Sequence, residues 1–129
     1  MGAMTADDVV CDLTLTGEPE VKKRPRFGRG KTYTPAETVA AEEAIRWQLR
    51  AAGVRPVADV LLEVHVRFRC SGWKRVDIDN LQKLLLDACN GFAWVDDSQV
   101  VHIDAWLERG STRPGTDLRI TRYDERNTR

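Results

Sequence analysis

A chain of 129 residues has length for one hydrophobic core rather than two, and its 20 Lys plus Arg against 20 Asp plus Glu leave a formal net charge of zero. That balance excludes a uniformly basic surface, so affinity for nucleic acid requires uneven placement of charge. Cys11, Cys70 and Cys89 are odd in number and widely spaced, which points to neither a disulfide framework nor a zinc site and suits a reducing cytosol. No apolar run reaches membrane-spanning length, and no basic-then-apolar leader is seen. Residues 1–4 look like a tag scar, with one domain expected over 5–123 and a polar, disordered tail over 124–129.

Val9 to Leu15 alternates apolar and polar residues and predicts an opening strand, closed by the turn residues Gly17 and Pro19. Lys22-Lys23-Arg24-Pro25-Arg26-Phe27-Gly28-Arg29-Gly30-Lys31 follows as a Gly/Pro-punctuated loop that is basic without one acid. Such runs are commonly solvated loops; Phe27, and glycines that allow close backbone approach to phosphate, favour binding here. Thr34-Pro35-Ala36-Glu37 predicts a helix start, with Thr34 as cap, Pro35 at the first helical position and Glu37 completing a capping box. Ala41, Ile45, Leu49 and Ala52 form its apolar stripe, and Gly53 stops it.

Val60 to Cys70 alternates cleanly, with Leu62, Val64, Val66 and Phe68 on one face and Glu63, His65, Arg67 and Arg69 on the other. A second helix is expected from near Asp79 to Asn90-Gly91, turning Leu81, Leu84, Leu85 and Ala88 inward and carrying Asp79, Lys83 and Asp87 at four-residue steps on another face. After Phe92, Trp94 and Asp96-Asp97, a strand is expected through Val101, Ile103, Ala105 and Leu107, then a last one through Leu118 and Ile120 beyond the Pro114-Gly115 turn. The order strand-helix-strand-helix-strand-strand predicts a single α+β domain, a mixed β-sheet with two main helices on one face.

The chemistry concentrates in Lys74-Arg75-Val76-Asp77-Ile78-Asp79-Asn80-Leu81-Gln82-Lys83 and in Asp96-Asp97. Each part has an ordinary structural use: Asp79 as a helix cap, Asp77 as a turn residue, Lys83 as a surface lysine paired with Asp79 or Asp87, and Asp96-Asp97 as a turn. Closely spaced carboxylates nevertheless repel unless a cation joins them, and hard divalent ions such as Mg²⁺ take oxygen ligands. If the strands flanking the second helix are neighbours, Asp97 is expected to return beside Asp77, giving three carboxylates and one ammonium around a point. That set suits phosphodiester hydrolysis. Spacing alone does not choose between Asp96 and Asp97.

Arg75 to Lys83 and Trp94-Val95-Asp96-Asp97-Ser98-Gln99-Val100-Val101 resemble the RusA family of Holliday-junction resolvases, common in bacteriophages and prophages. Gly17-x-Pro19, Lys23-Arg24-Pro25-Arg26 and Tyr33-Thr34-Pro35 are similar to phage-type members, and the likeness runs from about Gly17 to Glu108. The resemblance implies a RusA-like fold, with Asp77, Asp79 and Asp97 as metal-binding catalytic carboxylates, Lys83 as the catalytic lysine, and Asp96 as a neighbouring acid rather than a ligand. It further implies Mg²⁺, with Mn²⁺ as a substitute, and a homodimer making paired nicks across a four-way junction in the cytoplasm of a bacterial or phage-infected cell. Lys22, Lys23, Arg24, Arg26, Arg29, Lys31, Lys74 and Arg75 are then the expected contacts to junction backbones.

Two other readings stand beside it: a non-catalytic nucleic-acid-binding module, and a nuclease of this fold acting on flaps or other branched DNA. His65 and His102 are expected at the surface or core edge, Trp47 and Trp94 in packing roles, and Phe27 and Trp73 as nucleic-acid contacts.

Overall fold

The computed structural model of the chain describes residues 8–23, 26–28, 30–33 and 35–124. The expected tag scar at 1–4, the tail beyond Asp124, and Thr34 as a cap lie outside the described residues. Strands β1 (Val9–Thr16), β4 (Leu62–Arg69), β5 (Val100–Glu108) and β6 (Gly115–Arg122) form where apolar and polar residues alternate. Helices α1 (Ala36–Ala51) and α2 (Ile78–Cys89) form where apolar residues recur every three or four positions.

The sheet order is β1-β6-β4-β5, with β6 antiparallel to both β1 and β4, and β5 parallel to β4. This is the mixed α+β sheet that the element order predicts. One face carries the core: Leu62, Val64, Val66 and Phe68 of β4 and Leu118 and Ile120 of β6 meet Leu81 and Leu85 of α2 and Leu49 of α1. Fully burying each such leucine is worth roughly 1.5–3 kcal/mol. The opposite face is open and charged, bearing His65, Arg67, Asp104, Trp106 and Arg119. His65 Nδ1 lies 3.7 Å from Asp104 Oδ2, and His65 and His102 stack obliquely at 6.0 Å, so both histidines belong to this exposed face.

Five local expectations change, one of them Trp47, which is 74% exposed on α1 rather than packed. The basic loop contains a small antiparallel hairpin of β2 (Arg26–Gly28) and β3 (Lys31–Tyr33), with Gly30 turning at φ 74°. Pro35 is the cap position of α1 rather than its first helical residue; at ψ 143° it is extended, and its carbonyl accepts from the Thr38 and Val39 N–H groups. Ala52 is exposed just past the end of α1, whose buried positions are Thr38, Glu42 and Leu49, while Gly53 stops the helix at φ 82° as expected. Finally, Leu62 pairs with Val100 and Glu63 with His102, so Val101 is the extra residue of a bulge, 49% exposed and out of the alternation expected with Ile103, Ala105 and Leu107.

Among the described residues the three cysteines are free and buried. Burial, with a smaller contribution from Asp12, pushes the Cys11 thiol up to about 12. No helix among the described residues is long and apolar enough to cross a membrane.

Candidate active site

The first pair of carboxylates stands where the chain leaves β4 and enters α2. Backbone bonds from Cys70 N–H to Glu108 O (2.8 Å) and from Gly110 N–H to Gly72 O (3.0 Å) tie down the exit from the strand. Glu18 adds a clamp by accepting from the Ser71 N–H at 3.0 Å. The chain then runs exposed through Trp73, Lys74 and Arg75 to Asp77, the cap of α2. Asp77 Oδ1 accepts from the Asp79 N–H at 3.0 Å and Oδ2 from Asn80 Nδ2 at 3.3 Å. The cap is therefore Asp77, two residues earlier than the expected Asp79, because Asp77 is the last residue with extended backbone (φ −82°, ψ 113°).

Capping leaves Asp79 exposed in the first turn, beside the positive end of the helix dipole. Lys83 follows one turn later and is exposed too. Of the two partners that helical spacing offers it, Asp87 pairs with Lys22 at 3.2 Å and Asp79 makes no described ion pair, so the Lys83 ammonium is without an ion pair among the described residues.

Asp97 occupies a different setting, a 3₁₀ turn over Asp97–Gln99 that leads into β5. Trp94, fully buried, donates from its indole Nε1 to Asp97 Oδ1 at 2.7 Å. Gln99 is buried as well and acts as a rivet: Oε1 accepts from the Val95 and Asp96 N–H groups at 3.1 and 2.9 Å, and Nε2 donates to Val57 O and Val60 O at 3.1 and 3.0 Å. Asp96 caps the turn by accepting from the Ser98 hydroxyl and from its N–H, which holds the Asp96 carboxyl below the usual carboxylate range. Asp96 is thus committed to the turn, while Asp97 projects from it with an exposed side chain. The sequence reading gave Trp94 a packing role only; the short Trp94-x-x-Asp97 spacing was the available signal for its second role as donor to Asp97.

The two sets do not meet within one chain. Strands β4 and β5 are neighbours, as the expectation required, but they are parallel, so α2 must carry the chain back along the sheet before β5 begins. Asp97 consequently lies near the C-terminal end of α2, where Asn90 bridges to Trp94 and the Cys89 thiol feels the Asp97 charge. Asp77 lies at the other end, about 18 Å away for 12 residues rising ~1.5 Å each. In agreement, no group of three His, Cys, Asp or Glu among the described residues is gathered to hold a metal ion. The expectation that Asp97 returns beside Asp77 is corrected by the direction of strand pairing.

The expected backbone-contacting residues also divide. Lys74 and Arg75 are exposed beside Asp77. Lys22 is not free to bind: its ammonium sits 2.9 Å from Glu42 and 3.2 Å from Asp87, and its N–H donates to Asn80 O at 2.9 Å, so it fastens α1 to α2. Lys23 pairs with Glu37 at 3.1 Å, with both partners partly exposed, a contact weak enough to be exchanged for a phosphate. Arg26 and Lys31 lie on the hairpin strands, and Arg24 and Arg29 lie outside the described residues. Phe27, on the same hairpin, is 76% exposed.

Residues 16–121 match the family described as Endodeoxyribonuclease RusA. Similar proteins include crossover junction endodeoxyribonuclease RusA of Escherichia coli strain K12, and the proteins of the same name from Shigella sonnei and Enterobacteria phage 82. Each is 34% identical over 95 residues, covering 69% of this chain and 75% of the relative. The matched span takes in both ends of α2 and Asp77, Asp79, Asp96 and Asp97, and the chain belongs to the RusA family of endodeoxyribonucleases.

Proposed function

We propose that this protein is a metal-dependent, structure-selective endodeoxyribonuclease that resolves four-way DNA junctions by paired symmetric nicks, working as a homodimer. Membership of the RusA family supports the DNA substrate and the reaction class. The observation that carries the finer reading is the placement of Asp77 and Asp79 at one end of α2 and Asp97 at the other, all exposed and none in an ion pair among the described residues. Asp77 and Asp79 fit Mg²⁺ as hard oxygen donors that leave room for waters, and Mn²⁺ takes the same donors. One chain cannot add Asp97 to them. A two-fold pairing of chains can, by setting the start of α2 in one subunit against Asp97 of the partner subunit, and the same operation makes two such sites. Two sites related by a two-fold axis match a substrate with approximate two-fold symmetry and two strands to cut.

The chemistry a divalent ion supplies there is Lewis acidity toward the phosphoryl oxygen and a more readily deprotonated water. Lys83, one helical turn from Asp79, is placed to offer its ammonium to the phosphate or to the departing oxygen. Trp94 fixes one Asp97 oxygen and leaves the other uncommitted among the described hydrogen bonds. Lys74 and Arg75 supply charge for the DNA backbone at the mouth of the site, an attraction that weakens with added salt.

The capping bonds of Asp77 favour the rival reading of a binding module with no catalysis. Incubation with an immobile four-way junction separates the two. Symmetric nicks that require Mg²⁺ or Mn²⁺ and vanish with EDTA are expected; tight binding with no incision under any divalent ion would leave the binding module, and cutting confined to flaps would reassign the substrate.

A further inference from the structure

Trp73 is 77% exposed, yet it is not a loosely hung side chain. A methyl group placed on Gly110 would lie 2.2 Å from its Cζ2, 2.5 Å from Cε2 and 2.8 Å from Cη2, so the indole rests directly on the bare backbone of that glycine. Gly110 adopts φ 65°, which disfavours other residues there, and its N–H is bonded to Gly72 O at 3.0 Å. The Ser111 N–H bonded to Cys70 O at 2.9 Å closes the same strap. The ring is seated on the Gly110 backbone on one side and is otherwise largely exposed. Leaving that much indole in water is unfavourable for an isolated chain. The position is also specific: Lys74 and Arg75 follow directly, and Asp77 stands four residues on.

A flat, pre-positioned aromatic beside cations and a phosphodiester-cleaving site has one obvious class of ligand, the face of a nucleobase. Within continuous duplex DNA, base faces are covered by their neighbours. At a branch point the stack is interrupted and a face is free. We propose that Trp73 is a stacking platform for the base exposed at the branch point, contributing to the preference for branched over continuous DNA. This rests on the junction-cleaving reading of the Asp77 site.

The test uses the full-length protein in EDTA, so that binding is read without cutting, with an immobile four-way junction and a linear duplex of the same sequence. Trp73→Ala is expected to weaken junction binding about 5- to 150-fold, the span set by stacking one base on an aromatic ring, with duplex binding nearly unchanged. Trp73→Phe should recover most of the loss, and 5-iodouracil at the branch point should photocrosslink to Trp73 in the wild-type protein. Equal junction binding by wild type and Trp73→Ala, in a protein that still cuts junctions with Mg²⁺, overturns the platform alone. An equal loss for junction and duplex also overturns it, as does loss of self-association by Trp73→Ala, which would assign the ring to a contact between copies. If the wild type neither binds nor cuts junctions, the functional reading falls and the platform with it.

Discussion

The two ends of α2 hold their acidic residues by different means. At the C-terminal end, Asp97 is fastened to the interior: a buried indole bonds its carboxylate, and a buried glutamine bonds four backbone groups around it. At the N-terminal end, the hydrogen bonds described for the Asp77 side chain all stay within the helix start, on a chain that has just crossed an exposed stretch. The rigid end is thus set by tertiary packing and the other by capping. A site composed of one end from each of two subunits would join a fixed carboxylate to a pair with freedom to adjust around an ion.

The strongest way to break this comparison is genetic complementation in vitro. Asp77→Asn and Asp97→Asn should each cut junctions more than about 100-fold slower, exceeding the 10- to 100-fold cost of losing an outer-shell partner of a metal ligand. Asn caps helices as well as Asp, so Asp77→Asn should keep its fold and its DNA binding. A mixed dimer of the two variants carries one site with both substitutions and one with neither, and should recover single nicks without the paired second cut. No recovery on mixing, measured on a gel that resolves nicked from resolved junctions, would place each site within one chain.

Gln99→Ala addresses the rigid end directly. It leaves the Val57 and Val60 carbonyls and the Val95 and Asp96 N–H groups without their side-chain partner, and should cost on the order of 3 kcal/mol in urea unfolding. A loss below ~1 kcal/mol would show that water replaces the glutamine easily. Trp94→Phe is subtler: it retains an aromatic ring in the core but removes the donor to Asp97, and about a 10-fold decline in cutting with DNA binding preserved is the expected result. Unchanged cutting would return Trp94 to the packing role assigned from sequence.

Lys22 should give the smallest effect, and one that separates fastening from DNA contact. Burial lowers its pKa, but hydrogen bonding to Glu42 and then Asp87 outweighs this and holds the group above the usual lysine value. The sign follows: stabilisation by Lys22 is complete below pH 10.5, where the unfolded lysine is already charged, and fades as pH rises through the higher folded value. Lys22→Met should cost about 1–2 kcal/mol at neutral pH, allowing for partial exposure, and this difference should shrink only in strong alkali. The salt dependence of junction binding should be unaltered in Lys22→Met, whereas Lys74→Ala or Arg75→Ala should each lower its log-log slope by about one unit. A flatter slope for Lys22→Met would make it a DNA contact after all.

What the sequence determined by itself was local. Alternation marked β1, β4 and β6, and the leucine spacing marked α2. The motif from Arg75 to Lys83, with Trp94 to Val101, was specific enough to resemble the RusA family, which the comparison with known proteins then established. These features were legible because strand and helix periods and capping are written in residues a few positions apart. The hairpin within the basic segment was missed because strands of three residues carry too little pattern.

Only the tertiary structure decided the rest. The parallel pairing of β4 with β5 sends Asp97 to the far end of α2 from Asp77, a choice made by contacts between residues some forty positions apart. The one-residue bulge at Val101 broke the alternation expected through Val101, Ile103, Ala105 and Leu107, since strand register belongs to the pair and not to either strand. Lys22 looked like part of a phosphate-binding run until α1 and α2 brought Glu42 and Asp87 to it from opposite sides. In each case the local sequence was compatible with both outcomes, and long-range packing, which has no short period to read, made the choice.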